Sequence, residues 1–192
     1  MEDILAAAAQ LQAFCDEKNW RCCFIGGVAV QRWGRPRFTQ DVDLTLLTGI
    51  GGEERFVDAL LRRFPGRLPD AREFALEHRV LLARTPGGVD LDIALGASSF
   101  EERAFKRASL WAVAEEISLV TCSAEDLVTH KAFAGRDRDW ADVEGVLTRQ
   151  YGKIDLALIR SELPPLLDLK GELESLARLE HLIAAVESRL RR

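Results

Sequence analysis

Residues 39–47, which read TQDVDLTLL, combine the pattern of an apolar strand with two closely spaced acidic side chains. The run DVDLTLL has the composition of a buried β-strand over residues 41–47. Asp41 and Asp43 lie two positions apart, so their carboxylates point to one face, with backbones about 6.6 Å apart along the strand. Two such carboxylates repel each other and are costly to desolvate. Water, basic side chains or divalent metal ions must therefore compensate their charge.

A second strand repeats this acidic pattern. The segments RVLLART (79–85) and VDLDIALG (89–96) are joined by Pro-Gly-Gly, which predicts a β-hairpin. Asp90 and Asp92 share one face of the second segment. If that strand lies beside residues 41–47, a third carboxylate completes a metal site of oxygen ligands, the kind that Mg²⁺ prefers. The alternative is a hairpin edge that faces solvent, and spacing leaves the choice between Asp90 and Asp92 open.

Polar features also flank the first acidic strand. Gly26 and Gly27 separate the apolar strand RCCFI from a predicted helix. Glycines at a helix start let a phosphate approach the backbone N–H groups, although a simple turn is the alternative explanation. Thr39 faces the same side as Asp41 and is expected to contact a substrate bound there, unless it serves only as a strand residue.

Charged side chains recur in the predicted helical stretch at residues 123–150. Lys131 and Arg136 are cations that can neutralise phosphate, the arginine in a bidentate manner. Asp139 and Asp142 are three positions apart and so share one helix face. A network of ion pairs that ties two helices together is the alternative explanation for all four residues.

The composition sets broad limits on function. The chain has 192 residues, 47% hydrophobic and 30% charged, with a net charge of −5. A negative net charge argues against non-specific binding to bare nucleic acid. No apolar run approaches the roughly 20 residues of a membrane span, so no membrane partner is expected. The start has no basic region typical of a secretory signal, and the four scattered cysteines fit the reducing cytoplasm.

The pattern of elements predicts an α+β fold. Residues 1–121 alternate between helices and strands, which indicates a small mixed β-sheet flanked by helices. Residues 122–192 are predicted to form an all-α C-terminal bundle, whose first helix is capped by Ser123 and whose later part is bent at Pro164-Pro165. An apolar stripe near the C-terminus packs either within the chain or across a homodimer; its members are Leu173, Leu176, Leu179, Leu182, Ile183, Val186 and Leu190.

Taken in order, three segments resemble the DNA polymerase β-like nucleotidyltransferase superfamily. They are FIGGVAVQRWGRPRFTQDVDLTLL, then VDLDIALG with FEERAFKRA, then SAEDLVTHKAFAGRDRDWADVEGVL. More narrowly, the chain resembles the small AbiEii/AbiGii-type nucleotidyltransferases, a group that includes toxins of toxin–antitoxin pairs. The resemblance covers about residues 20–150 in matching order. The glycine pair, the Asp-x-Asp strand, the later strand aspartate and the helical charges are specific only in combination.

The resemblance implies a polymerase β-like fold and the transfer of an NMP from an NTP to a hydroxyl acceptor on RNA, protein or a small molecule. Asp41 and Asp43 match the two metal-binding carboxylates. Asp92 matches the third better than Asp90, because the family's aspartate precedes an apolar run. The implied cofactor is Mg²⁺, with two ions expected and Mn²⁺ as an alternative, and an antitoxin protein is an implied partner.

The remaining site residues follow from the same resemblance. Gly26 and Gly27 match a glycine pair that abuts the nucleotide phosphates, where many superfamily members have Gly-Ser. Lys131 matches a lysine that faces the triphosphate and is also expected to assist catalysis, with Arg136 beside it. A non-catalytic module that binds a nucleotide or partner is the main competing reading, followed by a metal-dependent phosphohydrolase.

Overall fold

The computed structural model describes residues 2–191 of the chain. Helices and strands alternate through the first part of this range, and the last part is helical. The helices are α1 (Glu2–Glu17), α2 (Gly26–Trp33), α3 (Glu54–Arg63), α4 (Ala71–His78), α5 (Ser99–Arg107), α6 (Ala124–Ala134), α7 (Asp137–Arg149), α8 (Leu156–Lys170) and α9 (Glu174–Leu190). The strands are β1 (Cys22–Phe24), β2 (Asp41–Leu47), β3 (Val80–Arg84), β4 (Asp90–Gly96), β5 (Ser109–Ala114) and β6 (Ile117–Thr121).

All six strands belong to one mixed sheet with the order β3-β4-β2-β1-β6-β5. The β2–β4 and β1–β6 pairs are parallel, and the other pairs are antiparallel. The predicted hairpin is present as the antiparallel β3–β4 pair. The α+β prediction, a small mixed sheet flanked by helices with a helical C-terminal part, is therefore confirmed.

The described chain forms two compact units, of which unit 1 contains residues 2–28 and 38–122. Its core lies on one face of the sheet, where Leu44, Leu91 and Ile93 are fully buried. Helix α1 packs against β6 and β2 on this core. The Gln12 side chain also donates to the Ser118 carbonyl (2.9 Å) and accepts from the Val120 N–H (2.7 Å), so a buried amide ties α1 to β6.

Unit 2 contains residues 29–37 and 123–191 and is built around α6, which packs against α7, α8 and α9. Ser123 caps α6 by accepting from the Asp126 N–H at 3.1 Å, as the sequence predicts. The segment 29–37 is fixed to α7 from within the unit, because Arg149 donates to the Gly34 carbonyl at 2.7 Å. The predicted boundary between residues 121 and 122 stays a prediction.

The C-terminal chain after α7 forms two helices. Helix α8 includes both Pro164 and Pro165, and the predicted bend at these prolines stays a prediction. The helix ends before Gly171, whose φ of 73° is the left-handed conformation that glycine adopts easily. The apolar stripe packs within unit 2 through its buried centre, whose members are Leu179, Ile183 and Val186. A homodimer stays a prediction.

Helix α4 was not predicted from the sequence. It is only eight residues long, and Ala71 and Ala75 are its buried side chains. Two small alanines give a weak apolar stripe, which explains why the pattern missed it. Within residues 2–191, no helix is long and apolar enough to cross a membrane. Within residues 2–191 the four cysteines are buried and form no disulfide.

The core of unit 1 predicts a large difference between two truncations. Ile93→Ala removes a fully buried side chain from β4 and should lower the free energy of unfolding by about 2–5 kcal/mol. Leu110→Ala on β5, where the side chain is 66% exposed, should change it by about 0.5 kcal/mol or less. Urea unfolding measures both. Equal losses would contradict the assignment of this sheet face as the core.

Candidate active site

The parallel pairing of β2 with β4 brings the acidic residues together. Asp41 lies opposite Asp90, and Asp43 lies opposite Asp92. Side chains alternate between the two faces of a strand, so all four carboxylates lie on one face of the sheet. Val42 and the other residues between them point to the core face and are buried.

Three of these carboxylates converge on one point. Asp41, Asp43 and Asp92, here called the triad, each offer an oxygen, and these oxygens all lie within 4.8 Å of one another. The three residues are half-buried, so the cluster is accessible. A compact set of carboxylate oxygens with partial access fits a hard divalent ion that keeps waters and substrate phosphates in its shell. The residues present therefore suit the Mg²⁺ or Mn²⁺ that the sequence predicts.

Two local hydrogen bonds orient the β2 carboxylates. The Thr39 hydroxyl donates to Asp41 Oδ1 at 2.9 Å, and Thr39 is itself buried. The Gly27 backbone N–H donates to Asp43 Oδ2 at 3.3 Å. Thr39 thus contacts the triad directly, and its expected contact with a nucleotide stays a prediction.

The glycine pair is explained by the closeness of these polar groups. A Cβ atom at Gly26 would lie 1.9 Å from Asp43 Oδ2, and one at Gly27 would lie 2.2 Å from Thr39 Oγ1. Gly26 also has φ +52°, which disfavours other residues. Side chains are therefore excluded at both positions in this arrangement, including the serine found in many related enzymes. The predicted contact with nucleotide phosphates stays a prediction.

Arginines separate the roles of the two β4 carboxylates. Arg84 donates to Asp90 Oδ1 at 2.5 Å, and Arg67 donates to Asp90 Oδ2 at 2.9 Å. Arg67 also forms an ion pair with Asp92. The hydrogen bond from Arg84 lowers the pKa of Asp90 despite partial burial. Burial raises the pKa of Asp92, with Arg67 opposing and the negative charge of Asp41 adding to the rise.

In unit 2, the other predicted site residues form an ion-pair network around the buried residues Lys131, Asp139 and Asp142, here called the Lys131 cluster. Lys131 Nζ lies 2.8 Å from Asp139 Oδ1 and 2.9 Å from Asp142 Oδ2. Arg136 pairs with Asp139 at 2.6 Å, and Arg37 pairs with Asp142 at 2.7 Å. This is the network that the sequence allowed as an alternative. The nucleotide-binding roles of Lys131 and Arg136 stay predictions.

The cluster perturbs the acidity of both its carboxyl groups. Burial by itself raises the pKa of Asp139, but hydrogen bonds from Arg136 and Lys131 outweigh it, and the net pKa is lowered. Asp142 behaves likewise, with Arg37 and Lys131 lowering its pKa below the usual value. Both groups therefore stay ionised in the folded protein at pH values where free carboxyl groups begin to protonate.

Two arginines that contact the β4 carboxylates were not predicted from the sequence, Arg67 and Arg84. Arg84 follows the alternation of β3 and lies opposite Asp90, so the hairpin register could have identified it. Arg67 lies in the connection between α3 and α4, in the run FPGRLPD, which has no periodicity. Only the tertiary fold brings it to carboxylates more than twenty positions further along the chain.

Carboxylates grouped on two adjacent parallel strands of a mixed sheet are the arrangement that the resemblance to polymerase β-like nucleotidyltransferases implies. Residues 11–189 match the model of the nucleotidyl transferase AbiEii toxin family, which is described as a type IV toxin–antitoxin system. Because this match spans nearly the whole chain, the protein belongs to the AbiEii nucleotidyltransferase family. A search of curated protein sequences gave no significant match.

Solved structures are similar to this chain at low sequence identity. An antigenic nucleotidyltransferase-like protein from Paracoccidioides brasiliensis is 17% identical, with a TM-score of 0.56 over 91% of this chain and 92% of that one. The ANT(2'')-Ia structure in complex with adenylyl-2''-tobramycin is 20% identical, with a TM-score of 0.46 over 99% of both chains. The Thermotoga maritima CCA-adding enzyme is 16% identical, with a TM-score of 0.40 over 95% of this chain and 51% of that one.

The glycine geometry predicts a stability loss on adding a single methyl group. Gly27→Ala should lower the free energy of unfolding by about 1–3 kcal/mol, because its Cβ would overlap the buried Thr39 side chain. Gly26→Ala should cost more, since it adds a strained φ to the overlap with Asp43. Gly52→Ala is the control, because its nearest non-local atom is 3.7 Å away. Urea unfolding measures all three, and a neutral Gly27→Ala would refute the close packing.

The Lys131 cluster predicts acid sensitivity. Lowered folded-state pKa values mean that Asp139 and Asp142 stabilise the fold above the unfolded pKa of about 3.9, and this contribution is lost as pH falls through the folded-state values. Asp142→Asn should therefore cost about 3 kcal/mol at neutral pH and flatten the acid decline. The measurement is urea unfolding between neutral pH and the acid limit of folding.

The control for the acid series is Asp137→Asn, on the same helix with its side chain 97% exposed. It should stay within about 0.5 kcal/mol of the wild type and keep the wild-type pH profile. An Asp142→Asn profile that parallels the wild type would show that the cluster does not supply this pH dependence.

Proposed function

We propose that this protein is a metal-dependent nucleotidyltransferase that moves an NMP from an NTP to a hydroxyl group on RNA, a protein or a small molecule. The single observation that carries the proposal is the meeting of the Asp41, Asp43 and Asp92 carboxylate oxygens within 4.8 Å of one another. Membership of the AbiEii nucleotidyltransferase family gives independent support.

The reaction is an in-line displacement at the α-phosphorus of the NTP. A bond forms between the acceptor oxygen and the α-phosphorus, and the bond from that phosphorus to the α–β bridging oxygen breaks. Pyrophosphate leaves with the electron pair of that bond. The acceptor hydroxyl loses its proton, and we assign Asp92 as the base that accepts this proton. Burial raises the pKa of the Asp92 carboxyl group, which favours that role.

Asp41 and Asp43 are assigned to hold the divalent ions, with Asp92 as the third ligand. When bound there, Mg²⁺ or Mn²⁺ would neutralise phosphate charge and lower the pKa of the attacking hydroxyl. The protein contributes orientation. Thr39 fixes Asp41 through its hydroxyl, and the Gly27 N–H fixes Asp43, so the carboxylates lose little conformational freedom on binding.

The nucleotide and biological partners complete the proposal. Gly26 and Gly27 are proposed to let the phosphates approach the start of α2, where backbone N–H groups favour anions. Lys131 and Arg136 are proposed as cations for the triphosphate, in addition to their ion pairs. In keeping with its family, the protein is proposed to act as the toxin of a toxin–antitoxin pair, restrained by an antitoxin protein.

Labelled nucleotide transfer tests this proposal. The purified protein is incubated with Mg²⁺ and each α-labelled NTP, with cell extract as a source of acceptors. Label should move to an acceptor, and Asp43→Ala should reduce transfer by orders of magnitude, because it removes a metal ligand. The same variant should melt no lower than the wild type, since removing one carboxylate relieves repulsion in the triad.

Asp58→Ala is the matched control, because it also removes a carboxylate, here one on α3 that pairs with Arg72. It should transfer label at the wild-type rate.

Nucleotide binding without transfer would favour the non-catalytic module, and release of free phosphate would favour a hydrolase. Normal transfer by Asp43→Ala would contradict the mechanism. Growth arrest on expression, relieved by Asp43→Ala, tests the toxin role.

A further inference from the structure

Arg67 belongs to a segment that is hydrogen-bonded to the outer edge of β3, an edge strand of the sheet. The Arg67 backbone N–H donates to the Leu82 carbonyl at 2.9 Å, and the Arg84 backbone N–H donates to the Pro65 carbonyl at the same distance. Between these bonds, Gly66 forms an isolated antiparallel bridge with Ala83. The backbone of Arg67 is therefore held by the sheet, although it lies outside any regular element.

The side chain of Arg67 reaches past β3 to the acidic face of β4. One terminal nitrogen pairs with Asp90 at 2.9 Å, and the other pairs with Asp92. The remaining nitrogen, Nε, is buried and has no hydrogen-bond partner within the described residues. The two carboxylates are thus the groups that bind the guanidinium, and its side chain is 21% exposed.

The position of Arg67 places a fixed positive charge against one member of the triad. Asp41, Asp43 and Asp92 lie within reach of one ion, and three carboxylates so close repel one another. Arg67 offsets part of that repulsion at Asp92. A divalent ion bound by the same triad draws on the same negative charge and is repelled by the guanidinium, so the two cations compete.

We propose that Arg67 is the built-in counter-ion of Asp92: it positions this carboxylate and competes with divalent ions for it. Arg67 thereby sets the metal concentration at which the triad fills. This inference rests on the proposed function, because it assumes that the triad binds metal. Arg67 is a positioning residue, which acts through Asp92. Asp90 serves as the second anchor, which keeps the guanidinium beside the triad.

Metal binding without nucleotide tests the inference directly. Mn²⁺ is titrated into the full chain, and free Mn²⁺ is followed by electron paramagnetic resonance. Arg67→Met should bind Mn²⁺ about tenfold more tightly than the wild type, because a competing charge in contact with the ligand has been removed. In EDTA the same variant should melt at a lower temperature, and added Mn²⁺ should raise its melting temperature by more than that of the wild type.

Arg84→Met is the matched control. It removes the same charge from the same face and also releases a bond to Asp90, but within the described residues Arg84 forms no ion pair with Asp92. Its Mn²⁺ affinity should change by less than about threefold, as expected for an exposed charge. Arg67→Lys keeps the charge and should stay within about threefold of the wild type. If Arg67→Met fails to fold, Arg67→Gln carries the same prediction.

The outcomes separate this inference from the proposed function. If the neutral Arg67 variants bind Mn²⁺ no more tightly than the wild type, Arg67 does not compete with divalent ions for Asp92. That result would leave the proposal that the triad binds metal intact. Equal tightening in Arg84→Met would also overturn it, because the effect would then be one of general charge. Failure of the wild type to bind Mn²⁺, or binding unaffected by Asp41→Asn, would instead refute the proposed function.

Discussion

The in-register parallel pairing of β2 with β4 is the constraint on which the site depends. It sets Asp43 beside Asp92 on the face opposite the core, while Leu44 and Ile93 fill the core itself. A slip of one residue would turn the carboxylates inward and the apolar side chains outward, so the hydrophobic pattern enforces the register. The burial that stabilises unit 1 therefore also brings together the oxygens of the triad. Fold stability and site geometry have the same cause.

Bringing like charges together makes the surrounding groups necessary. Each triad member has a different restraint: the Thr39 hydroxyl for Asp41, the Gly27 N–H for Asp43 and the Arg67 guanidinium for Asp92. The first two are neutral donors that orient an oxygen and leave its charge in place. The third is a cation that also offsets charge. Oriented carboxylates lose less freedom when they bind an ion, whereas a fixed cation opposes that ion, and the balance sets how readily the site fills.

Local patterns predicted much of this arrangement, because spacing of two in a strand and three in a helix is local information. The strand aspartates, the hairpin and the capping serine of α6 follow from such patterns. The choice of Asp92 over Asp90 needed the resemblance to a family, and in the structure Arg84 from the hairpin and the more distant Arg67 both pair with Asp90. Arg67 lies in an irregular connection, so nothing in its own neighbourhood indicates a role. Lys131 shows the opposite case, since its spacing fitted both phosphate binding and the ion pairs that the structure contains.

Whether the triad binds a divalent ion beside a nucleotide can be measured by anomalous diffraction from crystals of this protein soaked in Mn²⁺ with a non-hydrolysable NTP analogue. We expect an anomalous peak in contact with carboxylate oxygens of Asp41, Asp43 and Asp92, next to the phosphates of the analogue. A manganese peak elsewhere, or no peak at all, would contradict this role of the triad.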